Sequence, residues 1–184
     1  MEEADKRRIR GECVKLLRAA GCEEAVIKHC IAVAELALEI VASKNKNKNK
    51  NGNENKSIDE ELVFTGALLH DIGRARSHGV EHGFLGGEIA KSLGLDDRLV
   101  KIIQRHVGAG ITAEEAKQLG LPRISLVPET MEEKIVAYAD SLIEGTRRTS
   151  IEHALSNLKK KLGESHPAVA RLKKLHEEVT GTAF

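Results

Sequence analysis

Histidines and aspartates interrupt segments of this sequence that are otherwise apolar and helical in periodicity. His70 and Asp71 stand side by side in "LVFTGALLHDIG", and His29, His106 and Asp140 occupy similar positions elsewhere. A buried carboxylate is costly unless it is paired or coordinates a cation. Mixed imidazole and carboxylate ligation suits Mn, Fe, Co, Ni or Zn better than Ca. The combination therefore predicts a site for a divalent transition metal.

Each of these residues, taken alone, has a simpler interpretation. A lone histidine on an apolar face is usually a hydrogen-bonded core residue. Asp140 alone would be interpreted as a helix-surface residue or as an acceptor for a neighbouring helix end, and His70 with Asp71 as a polar helix end. These simpler roles would have to hold at every position together, which favours the metal site.

The string "HGVEH", residues 78–82, fits the H-x-x-E-H pattern of one class of zinc peptidases. In that class both histidines lie on one helix, one turn apart, and the glutamate acts as the base. Here Gly79 and Gly83 lie inside and beside the string, which favours a loop that leads into a helix. The sequence therefore argues against the peptidase.

Composition limits the fold and the partners. The 184 residues include 2% aromatic residues and no Trp, so Leu, Ile, Val and Ala must build the core of an all-α, single-domain bundle of about seven to nine helices. A net charge of +1 gives no long-range attraction for nucleic acid or for an anionic membrane. Three cysteines without C-x-x-C spacing, and a charged N-terminus without a long apolar segment, predict a cytoplasmic protein. A homo-oligomer is compatible with this composition.

Helical periodicity and capping signatures divide the chain into elements. Helix starts are marked by "SIDE" at 57, "TAEE" at 112 and "TMEE" at 130, and the last of these helices is expected to continue through Ile143. A Lys/Asn-rich tract over 43–57 predicts a flexible surface loop. No segment alternates for long enough to indicate a sheet. The expected helices and units are 4–19, about 23–43, 88–93, 97–107, 150–162 and 167–179, with a core over 20–148 and C-terminal helices over 149–184.

The order His29, His70–Asp71, Asp140, together with "LLHDIGR", resembles the HD superfamily of metal-dependent phosphohydrolases. "HCIAVAELALEI" and "EKIVAYADSLIEG" are similar to the first and last motif helices of that family. The resemblance covers roughly residues 20–148, and the chain as a whole is most similar to the small stand-alone HD proteins of archaea.

The resemblance implies that His29, His70, Asp71 and Asp140 hold one metal ion. Some branches of the family add two histidines and a second ion. "EHGFLGGEIAKSLG" and "IIQRHVGAG" supply His82 and His106 at the matching places, and Asp71 would then bridge the two ions.

The resemblance also implies hydrolysis of a phosphomonoester or phosphodiester, by attack of metal-bound hydroxide, on a small substrate such as a nucleotide or dinucleotide. Asp71 and Arg74 would be catalytic. Arg74, His78, Arg105 and Arg147 are the candidate substrate-binding residues, and Arg147 is placed on the helix face of Asp140. The alternatives are an ion pair for Arg74 and an exposed loop position for His78.

Two further alternatives concern function, and two aromatic residues are candidates for contact with a base. A non-catalytic, metal- or nucleotide-binding regulatory module is the rival to the enzyme. RNA binding through the Lys-rich C-terminal helices is weaker, because interspersed glutamates are typical of a solvated helix face. Phe84 and Tyr138 are the aromatic candidates for stacking on a base, and core packing is the favoured role for both.

Overall fold

The computed structural model describes residues 1–51 and 57–183, with side chains described outside 47–56. The described residues form nine α-helices, one 3₁₀ turn and one two-stranded hairpin, which confirms the all-α expectation. The elements are α1 (Glu3–Ala20), α2 (Glu24–Asn51), α3 (Glu60–Leu69), the 3₁₀ turn (Ile72–Ala75), α4 (His82–Ser92), α5 (Asp97–Arg105), α6 (Ala113–Gln118), α7 (Met131–Ser141), β1 (Ile143–Glu144), β2 (Arg147–Arg148), α8 (Ile151–Leu162) and α9 (Pro167–Thr180).

Two of the three predicted helix starts are confirmed, and one moves by two residues. Thr112 and Thr130 cap α6 and α7 with their hydroxyl groups. At α3 the N-cap is Asp59, whose carboxylate accepts a hydrogen bond from the Leu62 amide at 3.0 Å, and Ser57 has no such role. The reason is that Ile58 is buried in the core, so the helix begins only after this residue has been packed.

Helix α2 is longer than the sequence predicted, and the expected end at Ser43 is wrong. The ammonium group of Lys44 donates to the carbonyls of Glu178 at 3.2 Å and Val179 at 2.7 Å, at the end of α9. This contact gives the first lysine of the tract a fixed partner, and the helix continues to Asn51. Residues 52–56 of the predicted loop lie outside the described residues.

The C-terminal end of α7 also differs from the expectation. The helix ends at Ser141, and a short antiparallel hairpin follows in which Glu144 pairs with Arg147. Gly145 turns the hairpin with a φ of 62°, a left-handed conformation that glycine adopts without strain. Arg147 is therefore an exposed strand residue, and the prediction that it shares a helix face with Asp140 is wrong.

Helix α4 begins at His82, six residues before the predicted start at 88, and glycines explain how closely it packs. A Cβ atom at Gly73 would lie 1.9 Å from the carbonyl oxygen of His82, and one at Gly86 would lie 2.8 Å from Ile103 Cγ2. These contacts need the absence of a side chain, and they bring α4 against both the 3₁₀ turn and α5. The loop after "HDIG" thus returns His82 to the neighbourhood of Asp71.

Candidate metal centre

Six predicted ligands from five parts of the fold converge on one cluster. Four of these side chains are buried. Five of the six residues lie at or next to the end of an element, and the sixth, His29, lies inside α2. The six residues are His29 on α2, His70 and Asp71 directly after α3, His82 at the start of α4, His106 directly after α5, and Asp140 near the end of α7.

Backbone carbonyls orient all four imidazole rings. Each Nδ1 lies 2.7 to 2.8 Å from a carbonyl oxygen. A carbonyl oxygen only accepts, so each Nδ1 carries a proton, and in the neutral ring Nε2 has a lone pair for a cation. The pairs are His29 with Gly145, His70 with Ala67, His82 with Gly79, and His106 with Ile103.

One half of the cluster surrounds Asp140. His29 Nε2 lies 2.8 Å and His70 Nε2 lies 3.4 Å from Asp140 Oδ1. The second carboxylate, Asp71, directs its Oδ2 atom to the same two nitrogens at 3.9 Å and 3.8 Å. Two imidazole nitrogens and oxygens of two carboxylates therefore face a common space.

The other half surrounds Asp71 Oδ1. His82 Nε2 lies 3.1 Å and His106 Nε2 lies 3.5 Å from this oxygen. The two nitrogens are 2.9 Å apart. In the neutral rings, whose Nδ1 atoms are protonated, two lone pairs face each other at this distance, and a metal cation or a proton between them relieves their repulsion.

The residues fit a divalent transition metal. His70 Nε2 and Asp71 Oδ1 are buried without a hydrogen-bond partner, although a polar atom in such a position is costly. Neutral imidazoles and carboxylates are the ligand set of Mn, Fe, Co, Ni and Zn. Ligand atoms of His29, His70 and Asp140, and likewise of His70, Asp71 and His106, lie within 4.8 Å of one another.

Electrostatics within the cluster also favour a positive charge at its centre. Burial alone would raise the pKa of Asp71 and of Asp140, but the facing histidines outweigh burial and hold both pKa values below the ordinary range. Burial would lower the pKa of His70, but Cys30 and Asp71 outweigh it and raise that pKa. Both carboxylates are thus kept ionised.

The predicted substrate-binding residues differ in whether they contact the metal-ligand cluster. Arg74 Nε donates to Asp71 Oδ2 at 2.6 Å, so its ion pair is with a predicted metal ligand and not with a separate helix carboxylate. His78 is exposed in the loop before α4. Arg105 contacts Glu133, about 10 Å along α7 from Asp140. Of these residues, the structure therefore brings Arg74 to the cluster.

Tyr138, a candidate for stacking on a base, lies in the core, and the carbonyls that orient the histidines are an additional feature of the site. Tyr138 is 4% exposed, and its hydroxyl lies 2.7 Å from His176 Nδ1, so it packs in the core as favoured. The orienting carbonyls were missed by the sequence interpretation. A signal existed for three of them, because each precedes its histidine by three residues.

This arrangement defines a helical protein whose buried histidines and aspartates are placed to hold divalent metal. Residues 26–145 match the HD domain family, and the chain belongs to that family. The matched segment lies within the predicted core over 20–148, while the division of the chain into core and C-terminal helices stays a prediction. No helix of the described part is long and apolar enough to cross a membrane.

Known relatives and solved structures agree with this assignment. An uncharacterized protein of Methanocaldococcus jannaschii is 50% identical over 86% of this chain and 89% of its own length. A tRNA (cytidine(56)-2'-O)-methyltransferase of Picrophilus torridus is 39% identical over 92% of this chain, but the match covers 46% of that protein.

Among solved structures, the HD domain of the L. monocytogenes phosphodiesterase PgpH is similar in fold, with a TM-score of 0.50 and 16% identity over 92% of this chain and 97% of that domain. A second structure of the same domain is a complex with cyclic-di-AMP, with a TM-score of 0.50 and 14% identity over 94% of this chain and 99% of that domain. Membership in the HD family supports a hydrolase of phosphoric esters that depends on divalent metal.

Proposed function

We propose that this protein hydrolyses a phosphoric ester of a nucleotide or dinucleotide with the help of one or two divalent transition metal ions. The observation that carries the proposal is the position of Asp71. Its Oδ2 faces the histidines that surround Asp140, and its Oδ1 faces His82 and His106. One carboxylate with an oxygen toward each half of the cluster is suited to bridge two ions.

Bound divalent ions supply two effects, since they neutralise phosphoryl oxygens and lower the pKa of a water molecule toward neutrality. The protein supplies the geometry. Hydrogen bonds from Nδ1 to carbonyls hold the rings of His29, His70, His82 and His106 in a fixed orientation, which a reacting site requires.

Water is the nucleophile in this proposal, and two of the three cysteines are unsuited to that role. Burial raises the pKa of Cys13 to about 12 and that of Cys22 to about 11, so both thiols stay protonated at neutral pH. A covalent intermediate on these cysteines is therefore not part of the mechanism.

The exposed edge of the cluster indicates where a substrate enters. The side chains of His29 and Asp140 are 16% and 22% exposed, whereas that of His70 is fully buried. Arg74, at 30% exposure, lies beside Asp71. With Nε held by the carboxylate, its terminal amino groups are available to bind a phosphoryl oxygen.

Nucleotides are proposed as substrates because the family acts on phosphoric esters and because the PgpH HD domain has been solved with cyclic-di-AMP. The identity between the two chains is too low to transfer that ligand directly. A screen should therefore include mononucleotides, a cyclic dinucleotide and two base-free esters, p-nitrophenyl phosphate and bis(p-nitrophenyl) phosphate.

The test compares wild-type protein with Asp71→Asn after reconstitution with Mn²⁺, Fe²⁺, Co²⁺, Ni²⁺ or Zn²⁺. We expect turnover of at least one ester, and a loss of about 1000-fold in the variant because the amide cannot bridge two cations. Lys91→Ala, at an exposed ion pair on α4, is the matched control and should retain full activity.

Two results would contradict the proposal. Equal activity in Asp71→Asn and wild type would show that the hydrolysis occurs elsewhere or belongs to a contaminant. Metal and nucleotide binding without turnover of any ester would favour the non-catalytic regulatory module.

A further inference from the structure

A cavity of about 220 Å³ lies where the end of α7, the hairpin, α8 and α9 meet. Its lining combines aliphatic side chains with groups that can donate or accept hydrogen bonds. The lining residues that carry the argument are the aliphatic Ile143, Leu158 and Leu172 and the polar Glu144, His153 and Asn157.

The cavity shares two chain segments with the ligand cluster. Ser141 of the lining directly follows Asp140, and Glu144 directly precedes Gly145, whose carbonyl holds the ring of His29. Consecutive Cα atoms are about 3.8 Å apart. The backbone that lines one side of the cavity therefore also carries Asp140 and orients His29.

The polar side chains of the lining leave one hydrogen-bonding group for a ligand. His153 Nε2 lies 3.2 Å from Glu144 Oε2 and 3.0 Å from Asn157 Nδ2. A single ring nitrogen either donates to the carboxylate or accepts from the amide. Because Glu144 and His153 are 66% and 49% exposed, the remaining group binds water, which a ligand can replace.

The size of the cavity limits what it can hold. Pockets for whole drug-sized ligands measure about 300–1000 Å³, so this cavity is suited to one portion of a substrate. A lining that combines aliphatic side chains with an amide, a carboxylate and an imidazole fits a flat heterocycle whose edge both donates and accepts. A phosphate group alone would not use the aliphatic side chains.

We propose that this cavity binds the nucleobase of a nucleotide whose phosphate lies at the metal centre, with Asn157 and Glu144 at the edge of the base. The inference rests on the proposed function and adds a specificity site to it. Helix α8, which carries His153 and Asn157, lies beyond the segment 26–145 that matches the family. Base selection would thus belong to the C-terminal helices of this chain.

The experiment measures ligand affinity, so that base binding in the cavity is tested independently of hydrolysis. Calorimetry on metal-loaded protein compares AMP, GMP, CMP and UMP with ribose 5-phosphate, which has the same phosphate and sugar but no base. At least one nucleotide should bind about tenfold or more tightly than ribose 5-phosphate, because the base adds apolar burial and hydrogen bonds.

Two variants and a control test the location of the base. Ala154→Leu places a larger side chain in the cavity, and Asn157→Leu removes the amide. Each should reduce the preference for the nucleotide to about twofold or less while leaving the affinity for ribose 5-phosphate unchanged. Ser156→Ala, at an exposed position of α8 outside the lining, should retain the preference.

The proposal is overturned if no nucleotide binds more tightly than ribose 5-phosphate, or if the preference survives both variants. Unfolding curves identify a variant that fails to fold, and agreement between the two different variants then decides. Base preference in the cavity without hydrolysis of any ester would keep this inference and contradict the enzyme instead.

Discussion

Two of the acidic side chains of helix α7, Glu133 and Asp140, are seven residues apart, and their surroundings differ in one decisive respect. Glu133, near the N-terminal end, accepts from Arg105 Nη1 at 2.9 Å and from the Glu129 amide at 2.7 Å. Asp140, near the C-terminal end, faces Nε2 of His29 and of His70. The first carboxylate has a guanidinium partner, and the second faces ring nitrogens that can bind a metal ion together with it.

Two consecutive residues, Arg105 and His106, contact the Glu133 carboxylate and the metal-ligand cluster respectively. Arg105 is the last residue of α5 and neutralises Glu133, while His106 follows it and lies 3.5 Å from Asp71. Burial of a charge therefore does not by itself indicate function. What distinguishes the candidate metal centre is that its buried donors and acceptors do not balance, whereas those around Glu133 do.

The largest effect is expected at the C-terminal end of α7. Asp140→Asn keeps the shape of the side chain but removes its charge, so affinity for Mn²⁺ or Zn²⁺ should fall by about 100-fold or more. Metal titration of the metal-free protein measures this change. Unchanged affinity would remove Asp140 from the ligand set.

The next variant, at the N-terminal end of α7, should lower stability and leave metal affinity unchanged. Glu133→Gln removes the buried carboxylate from Arg105, which is 14% exposed, and leaves it the exposed carboxylate of Glu129 at 2.9 Å. We expect the free energy of unfolding to fall by about 2 kcal/mol while metal affinity is retained. Chemical denaturation and the same metal titration give both quantities.

Glu114→Gln is the matched control for that variant. Its ion pair with Arg123 is exposed on both sides, at 62% and 64%, so the loss should stay below about 1 kcal/mol. If Glu133→Gln weakened metal binding as strongly as Asp140→Asn, the distinction between the two ends would be wrong.

The smallest effect concerns the cap of the same helix. The Thr130 hydroxyl accepts from the Glu133 amide at 3.3 Å. Thr130→Ala should cost about 1 kcal/mol of unfolding free energy, and Thr130→Ser should restore most of it because the hydroxyl returns. Metal affinity should be the same in both variants, since the ligands lie at the other end of α7.

Residues whose placement follows from a local sequence pattern were predictable. The "HDIG" string at the end of an apolar run indicated His70 and Asp71, and the glycines around His82 separated that residue from the peptidase pattern. Thr130 was identified as a helix start in the same way. In each case the evidence lies within a few residues along the chain, where periodicity and capping act.

Features that depend on distant partners were not predictable. The continuation of α2 involves Lys44 contacts to carbonyls at the end of α9, more than 130 residues away. The position of Arg147 depends on a hairpin with two-residue strands, too short for an alternating pattern. The engagement of Arg105 with Glu133 likewise brings together two helices, α5 and α7.

The most direct test of the central claim is a count of bound metal. Native mass spectrometry and elemental analysis would compare wild type with His82→Gln after exposure to Mn²⁺, Fe²⁺, Co²⁺, Ni²⁺ and Zn²⁺. Two equivalents in wild type and one in the variant are predicted, because removal of His82 leaves the group around Asp140 intact. One equivalent in both proteins would contradict the bridging role of Asp71, and no metal in either would contradict the metal centre itself.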